Sequence, residues 1–433
     1  MDELRIVAQK VQDEFVKAGI TKGRLSVEEK ETQEFSMENG EFSLFRTLFD
    51  KDLSVTVFPN QKKGSGSTNK FDDASIQAVV AEAVAATESA EADEAYDMAP
   101  QQENQVFHTG SYEPDMDRLF ERTKELAEAI KEEYPKIQLM LLMVAHEKKH
   151  EIYSNTNGTE FEQFDGHYDV TIEFSANDGE KTTSLAYASI RTDSLDTPFI
   201  EMPMVRRKLE DTEKQLEVKP MEGKFEGTVI LTPECLGEFL YYICGNFAAD
   251  SVILEKTSMW LDKLGEQVAD KRINVTFDPL HDKIVSGERF TYDGFISEPE
   301  AFIRDGVLNS FKLSLYVANK SGNRPAKNMS YSMVMQPGEV SIEDMIKDTK
   351  KGLLLGGFSG GQPGTNGDIS GVAKNSFLIE DGKITTPVNE GMISGNLADM
   401  LKNVVNISKE TVSDGTSVLP YMAVNGVVVS GKE

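Results

Sequence analysis

The chain has 433 residues, with 45 Lys and Arg against 73 Asp and Glu, for a formal net charge of -28 at pH 7. So acidic a balance argues against nucleic-acid binding, which rests on Lys and Arg neutralising phosphates, and equally disfavours an anionic membrane surface. Two cysteines, Cys235 and Cys244, are too few for a disulfide framework or a cysteine-based zinc module, and no apolar run is long enough for a membrane span.

Taken in order, the chain reads as α+β. Residues 2–18 form an amphipathic helix (Leu4, Val7, Val11, Phe15) that stops at Gly19. Strands are expected at Arg24–Glu28, Glu34–Met37, Phe42–Phe49 and Leu53–Phe58, with a turn at Glu38-Asn39-Gly40-Glu41. Lys62–Thr68 reads as a Gly/Ser loop, Asp72–Ala86 as a helix, and the acidic, polar stretch Glu88–Glu113 as a connector. Pro114 opens a helix reaching about Tyr134. An antiparallel sheet then runs from Ile137 to Arg191, broken at the turns Asn157-Gly158 and Asn177-Asp178-Gly179. A charged helix at Val205–Leu216 and the polar stretch Glu217–Gly227 end this region. We therefore expect an N-terminal α+β domain over 1–217, with helices on an antiparallel sheet, and a β-rich C-terminal domain over 227–433.

The second region starts with a strand at Thr228–Leu231 and a helix capped by Thr232 with Pro233 in its first turn. Leu236, Phe239, Leu240, Ile243 and Phe247 recur at helical spacing along it, and Cys235 and Cys244 on the same helix read as buried packing residues. A helix is expected near Trp260–Val268, then strands at Ile273–Phe277, Phe290–Tyr292, Ala301–Ile303 and Val307–Ala318, and a polar loop at Asn319–Met329. Ser341 and Asp344 make a capping box for a helix closed by Lys350, Lys351 and Gly352. A glycine-rich loop follows from Gly356 to Gly367, then a hairpin of Ser376–Glu380 and Lys383–Pro387 about Asp381-Gly382, and a helix led by Asn396. Apolar strands at Ser417–Ala423 and Gly426–Val429 complete the chain. Glycines beside strand edges let a second backbone approach, which suits an extended peptide.

His146-Glu147-Lys148-Lys149-His150 matches the H-E-x-x-H letters of zinc proteases, but that chemistry requires a helix, so that both imidazoles face one ion. Here strands flank the motif, placing it near a hairpin tip, and two lysines would sit beside a dication. His108, His167 and His281 show no metal-ligand spacing, and no nucleophile elbow, phosphate loop or dinucleotide fingerprint is present.

In its ordered motifs the chain resembles the TldD/TldE (PmbA) family, whose members are often labelled modulators of DNA gyrase. The carriers are Glu38-Asn39-Gly40-Glu41, KGSGSTNKFDDASIQAVVAEAVAA from Lys63, YSNTNG from Tyr153, VILTPECLGEFL from Val229, KLGEQV from Lys263, IRDGVLNSF from Ile303 and PGEVSIEDMI from Pro337. FLIEDGKITTPV from Phe377 and ISGNLADMLKNV from Ile393 make the densest match. The resemblance implies a cytoplasmic, zinc-dependent peptidase built from two related subunits. In its TldD type, an HExxxH motif follows the segment matching Leu231-Thr232-Pro233, and a cysteine near the C-terminus supplies a third ligand.

This sequence departs from that pattern. It reads Tyr241-Tyr242-Ile243-Cys244-Gly245-Asn246, so Tyr241 and Asn246 replace the two histidines and Tyr242 the glutamate, and Val412–Lys432 holds no cysteine. Zinc needs at least three protein ligands and the reaction a carboxylate-like base, which phenols and an amide do not provide. The resemblance then implies a TldE/PmbA-type subunit with no catalytic residue and no cofactor in this chain, zinc being held by a TldD-like partner. Tyr241, Tyr242 and Asn246 mark the vestigial metal site. Ser359, Gly360, Gly361 and Gln362 are the candidates for contacting a peptide or unfolded-protein substrate. The alternatives are a self-sufficient metallopeptidase acting as a homodimer and a peptide-binding regulatory protein without activity. Direct action on DNA fits poorly with so acidic a chain.

Overall fold

The computed structural model describes residues 3–221, 223–388 and 391–431. Asp2 of the first expected helix, Glu222 of the polar connector, Asn389 and Glu390 beyond the Asp381-Gly382 hairpin, and Lys432 of the cysteine-free end lie outside the described residues. The fold is mixed α and β, with a seven-stranded and a thirteen-stranded sheet.

The first sheet is assembled from α1 (Glu3–Lys17), β1 (Gly23–Glu38), β2 (Glu41–Val57), β3 (Gly64–Thr68), α2 (Asp73–Ser89), β4 (Gln105–Gly110), α3 (Met116–Glu133), β5 (Ile137–Asn155), β6 (Glu160–Ala176) and β7 (Ala186–Thr192). Its strand order is β3-β2-β1-β5-β6-β4, with β7 on the same side of β6 as β4 but farther along it. Helices α1 and α2 cover one end, where Leu25, Val27, Leu53, Val55 and Val57 bury against Leu4, Val11, Ile76 and Val80. The other end packs Leu142, Val144, Val170 and Ile172 with α3 and with α4 (Pro203–Lys214).

The second sheet begins with β8 (Lys224–Leu231) and the capped helix α5 (Pro233–Phe247), followed by α6 (Asp250–Leu254), β9 (Val275–Phe277), β10 (Glu300–Arg304), β11 (Val307–Leu308), α7 (Leu315–Ser321), β12 (Met333–Met335) and α8 (Ile342–Asp348). It continues through β13 (Lys351–Leu355), β14 (Gly357–Gly360), β15 (Asp368–Lys374), β16 (Ser376–Glu380), β17 (Lys383–Val388), β18 (Gly391–Asn396), α9 (Leu397–Lys402), β19 (Val404–Ser413) and β20 (Val418–Ser430). The long strand β20 is the hub, bonded to β8, β12, β18 and β19. Helix α5 lies over it, burying Leu236, Phe239, Leu240, Ile243 and Phe247 in a core with Val424, Val427 and Val429.

Several elements differ from the sequence reading. The four expected strands between Arg24 and Phe58 are two long ones, β1 and β2. The polar run Glu29–Gln33 looked like a break, but Glu29 pairs with Lys51 at 2.5 Å and Lys30 with Glu147 at 3.0 Å, so cross-strand charge pairs carry the ladder through it. The Gly/Ser loop at Lys62–Thr68 contains β3, where Gly64 and Gly66 let the strand lie against the α2 backbone. The connector Glu88–Glu113 contains β4, recruited by β6 in parallel register. Trp260–Val268 is turns rather than helix, because the Val268 amide is taken by the Gly306 carbonyl at 2.9 Å. Val307–Ala318 is strand only to Leu308; Ser314 then caps α7 by accepting from the Val317 amide.

Downstream, Lys350, Lys351 and Gly352 do not close α8, which ends at Asp348; Lys351 and Gly352 already belong to β13. Gly352 is needed there because a Cβ would overlap the Thr228 carbonyl of β8. The first part of the glycine-rich loop is strand β14, and the two apolar C-terminal strands are one, β20, with a shift between Val424 and Val427.

Candidate functional site

Helix α5 owes its position to its N-terminus. Thr232 accepts from the Cys235 amide, Pro233 takes the first turn, and the Thr232 amide is bound to the Leu355 carbonyl at the end of β13. With one stripe of α5 fixed in the core, the remaining face presents Tyr241, Tyr242 and Asn246 toward the segments carrying Tyr331 and the glycine loop.

The vestigial positions come together with particular neighbours. The Tyr241 ring is half-exposed (53%) and lies 5.0 Å from the Tyr331 ring and 6.4 Å from that of Tyr242. The Tyr242 hydroxyl donates to Glu238 Oε1 at 2.9 Å, and burial together with that carboxylate pushes the phenol up to about 12. The Asn246 Nδ2 donates to the Gly364 carbonyl at 3.0 Å.

Beneath them Lys312 is almost fully buried, at 2% exposure. Its Nζ donates to Asn328 O and Oδ1, both at 2.9 Å, and to the Ser330 carbonyl, and stands 4.0 Å from the centre of the Phe277 ring. Burial lowers its pKa to about 8, a shift that the neighbouring Cys244 partly offsets. Cys244 is fully buried, and burial pushes its thiol up to about 12.

These residues do not fit a zinc ion. A phenol held protonated is a poor ligand at neutral pH, the Asn246 amide offers only a weak neutral oxygen, and a thiol at about 12 stays neutral. A lysine ammonium one ring away adds a charge of the wrong sign. Among the described residues no group of three or more His, Cys, Asp or Glu side chains is placed to hold a metal.

The glycine-loop residues flank this helix. Phe358 of β14 packs edge-on against Phe239 of α5, 5.5 Å between ring centres. Strand β14 pairs only with β15 among the described strands, so its other edge is open. Ser359, Gly360, Gly361 and Gln362 are all exposed along that edge and the loop that follows it. The loop is pinned from two sides, by Asn246 at Gly364 and by Asn396, whose Nδ2 donates to the Asn366 carbonyl at 2.8 Å and to Asp368 Oδ1 at 2.9 Å. Gly367 has a φ of +86°, open to glycine at little cost.

The H-E-x-x-H letters fall elsewhere. His146 and His150 lie in the middle of β5, paired opposite Tyr168 and Phe164 of β6, and not at a hairpin tip. Residues four apart on a strand are separated by roughly 13 Å, out of reach of a common ion. Each has its own partner: His146 Nε2 lies 2.7 Å from the Ser111 carbonyl, and His150 Nε2 lies 3.0 Å from Glu162 Oε1. Glu147 is on the opposite face, paired with Lys30.

His167 is not isolated, as its spacing suggested. Its Nδ1 is 2.8 Å from Ser286 Oγ and 3.3 Å from Asp165 Oδ2, while Nε2 lies 3.3 Å from Asp169 Oδ2 at an angle too poor for a directed hydrogen bond. Lys312 was also missed. The signal was a lysine between Phe311 and Leu313 in an apolar run, where a cation must find internal acceptors.

Comparisons with known proteins bear on the whole chain. Residues 223–431 match the family described as the PmbA/TldA metallopeptidase C-terminal domain, and residues 24–87 match PmbA/TldA metallopeptidase domain 1. A metalloprotease of Methanothermobacter thermautotrophicus is 32% identical over 206 residues, 44% of this chain and 44% of that protein, so the chain spans less than half the length of that relative. Metalloprotease PmbA of Escherichia coli O157:H7 is 25% identical over 421 residues, 90% of this chain and 88% of that one. The crystal structure of TldE from Thermococcus kodakarensis shares the fold with a TM-score of 0.88 at 18% identity, covering 98% of this chain and 100% of that one.

Proposed function

Because this chain belongs to the PmbA/TldD metallopeptidase family, we propose that it is the non-catalytic partner of a zinc-bearing TldD-like subunit in a cytoplasmic peptidase. It supplies interface and part of the groove that receives a peptide or unfolded-protein substrate. The observation that carries this reading is the donor set at positions 241, 242 and 246: two phenols and an amide, each held by an internal contact, beside a buried ammonium.

The open edge of β14 supports the groove. An extended peptide adding to that edge would meet the backbone groups of β14 that point away from β15, with no side chain at Gly360 and Gly361 to keep it away. Phe358 beneath the edge keeps β14 seated on α5 while its outer side remains exposed.

The test is metal content and peptide hydrolysis, measured first on the isolated chain and then after mixing with a TldD-like sibling. The reading expects neither stoichiometric zinc nor turnover from the chain alone, and turnover from the mixture above that of the sibling alone. Zinc bound one to one with hydrolysis by the isolated chain overturns it.

A further inference from the structure

The seven-stranded sheet has a second face. On β1 and β2 the alternation that sends Leu25, Val27 and Val55 toward the helices turns Arg24, Ser26, Ser54 and Thr56 the other way. Lys149 and Tyr153 of β5 and Asp165 of β6 extend this polar surface. Opposite it lies the segment Ile284–Phe290, and a cavity of about 640 Å³ separates the two. That is within the size range of small-molecule sites. The far wall is fixed at Gly287, where a Cβ would overlap the Pro279 carbonyl.

A polar cavity inside a fold is costly unless its charges are matched. Three of the cations are paired, and the remaining carboxylates are hydrogen-bonded. Arg24 pairs with Asp293 at 2.5 Å, Lys149 with Glu151 at 3.0 Å, and Arg191 with Asp169 at 2.9 Å. Asp165 accepts from Thr109 and faces His167, and Glu288 accepts from Ser297 at 2.6 Å and from the Met329 amide at 2.8 Å. The exception is Arg289. The residue is half-buried on the cavity wall and has no carboxylate at ion-pair distance among the described residues, Asp165 acting on it only from farther away. In a chain of net charge -28, an uncommitted arginine facing a cavity is a specific feature.

From this geometry we propose that the cavity binds a small organic carboxylate, with Arg289 as its charge partner. The planar guanidinium fork of Arg289 matches the two oxygens of a carboxylate, and a monoanion adds the least charge to a wall that already holds Asp165 and Glu288. A phosphate dianion would leave excess negative charge beside Asp165 and Glu151. Tyr153, Phe290 and Tyr292 on the wall provide aromatic surface for an apolar body, and Ser286, Ser330 and Ser332 provide hydroxyls.

The test is calorimetric titration of the full chain with N-acetyl-phenylalanine, with its C-terminal amide, and with inorganic phosphate, on wild type, Arg289→Gln and Arg289→Lys. The expected result is saturable one-to-one binding of the acid. Binding should weaken on the order of tenfold or more when the acid becomes the amide or Arg289 becomes Gln, with Lys intermediate. If Arg289→Gln fails to fold, the acid-versus-amide comparison on wild type and the Lys variant decide. Equal affinity for acid and amide, no saturable binding of the acid, or an unchanged affinity in a folded Arg289→Gln overturns the proposal. Phosphate binding tighter than the acid overturns the carboxylate assignment.

Discussion

The Asn246 amide donates to the Gly364 carbonyl at 3.0 Å, and so the helix position where the resemblance expects a metal-binding histidine instead holds down the glycine loop. One face of α5 thereby orders the segment beside the open edge of β14. Replacing Asn246 with Ala removes one tether and leaves Asn396, which also caps α9 through the Ala398 and Asp399 amides. The expected cost is about 1 kcal/mol, with faster amide exchange confined to 361–367. Hydrogen–deuterium exchange read by peptide should locate the change there; unchanged protection of the loop would show that Asn246 does not restrain it.

Burial pushes the Cys235 thiol well above its ordinary range and the Cys244 thiol up to about 12. Thiolate is the reactive form, and neither sulfur is accessible. A native sample at neutral pH should therefore give no reaction with an aromatic disulfide reagent on the minutes scale, and both thiols should titrate once denaturant is added. Rapid labelling of Cys244 in the native protein would mean that the packing of α5 against β20 opens readily.

How much of this was legible in the sequence depends on where the determining contacts lie. Helix caps are local, and Thr232, Ser341 and Asn396 all accept from the backbone amides their spacing predicts. The alternation in Ile137–Asn155 and the turn at Asn157-Gly158 are local too, and β5 and β6 follow. Failures came where a distant partner decides. The Trp260–Val268 stretch is captured by Gly306 and Leu308, and β4 forms only because β6 offers an edge. The positions at 241–246 were found through the family resemblance and not from the residues themselves. Lys312 left only the trace of a cation between Phe311 and Leu313, and Arg289 left none, because what makes it unusual is the surroundings that the fold brings to it.

His167 joins several of these distant segments and carries a pH signature. Burial alone would lower its pKa, but Asp165 and Asp169 outweigh that, and also the opposing charge of Arg191, so the folded value lies above the ordinary 6.5. A raised folded value means the contribution to stability is fully present below the unfolded pKa and is lost as pH rises through the folded one. The stability difference between wild type and His167→Gln should therefore be larger near about pH 6 than near about pH 9. Asp169 has the opposite dependence. Burial would raise it, but the close His167 ring and the two hydrogen bonds from Arg191 hold it at about 2, so its contribution is present above the ordinary 3.8 and fades as acid approaches 2. Denaturant titrations at the two pH values settle the His167 arm; a difference that grows toward pH 9 would contradict the geometry.

Gly415 is one of the places where the two sheets are tied together. It follows Asp414, whose carbonyl accepts from the Arg191 amide of β7 at 2.8 Å, and its own carbonyl accepts from the Val285 amide at 2.8 Å. The residue sits at φ +85°, and a Cβ there would overlap the Arg191 carbonyl oxygen, so alanine is penalised both by the backbone conformation and by a backbone contact that cannot rotate away. Gly265 makes a matched control, with a similar φ of +83° and nothing within reach of a Cβ. Gly265→Ala should cost only the conformational term, about 1 kcal/mol, whereas Gly415→Ala should cost about 3 kcal/mol or separate the turn from β7. Thermal melts of the two variants, with exchange at 186–192 and 413–418 as the local readout, distinguish these. If the two substitutions cost the same, the contact between Gly415 and Arg191 is not what holds β7 to the β19–β20 turn.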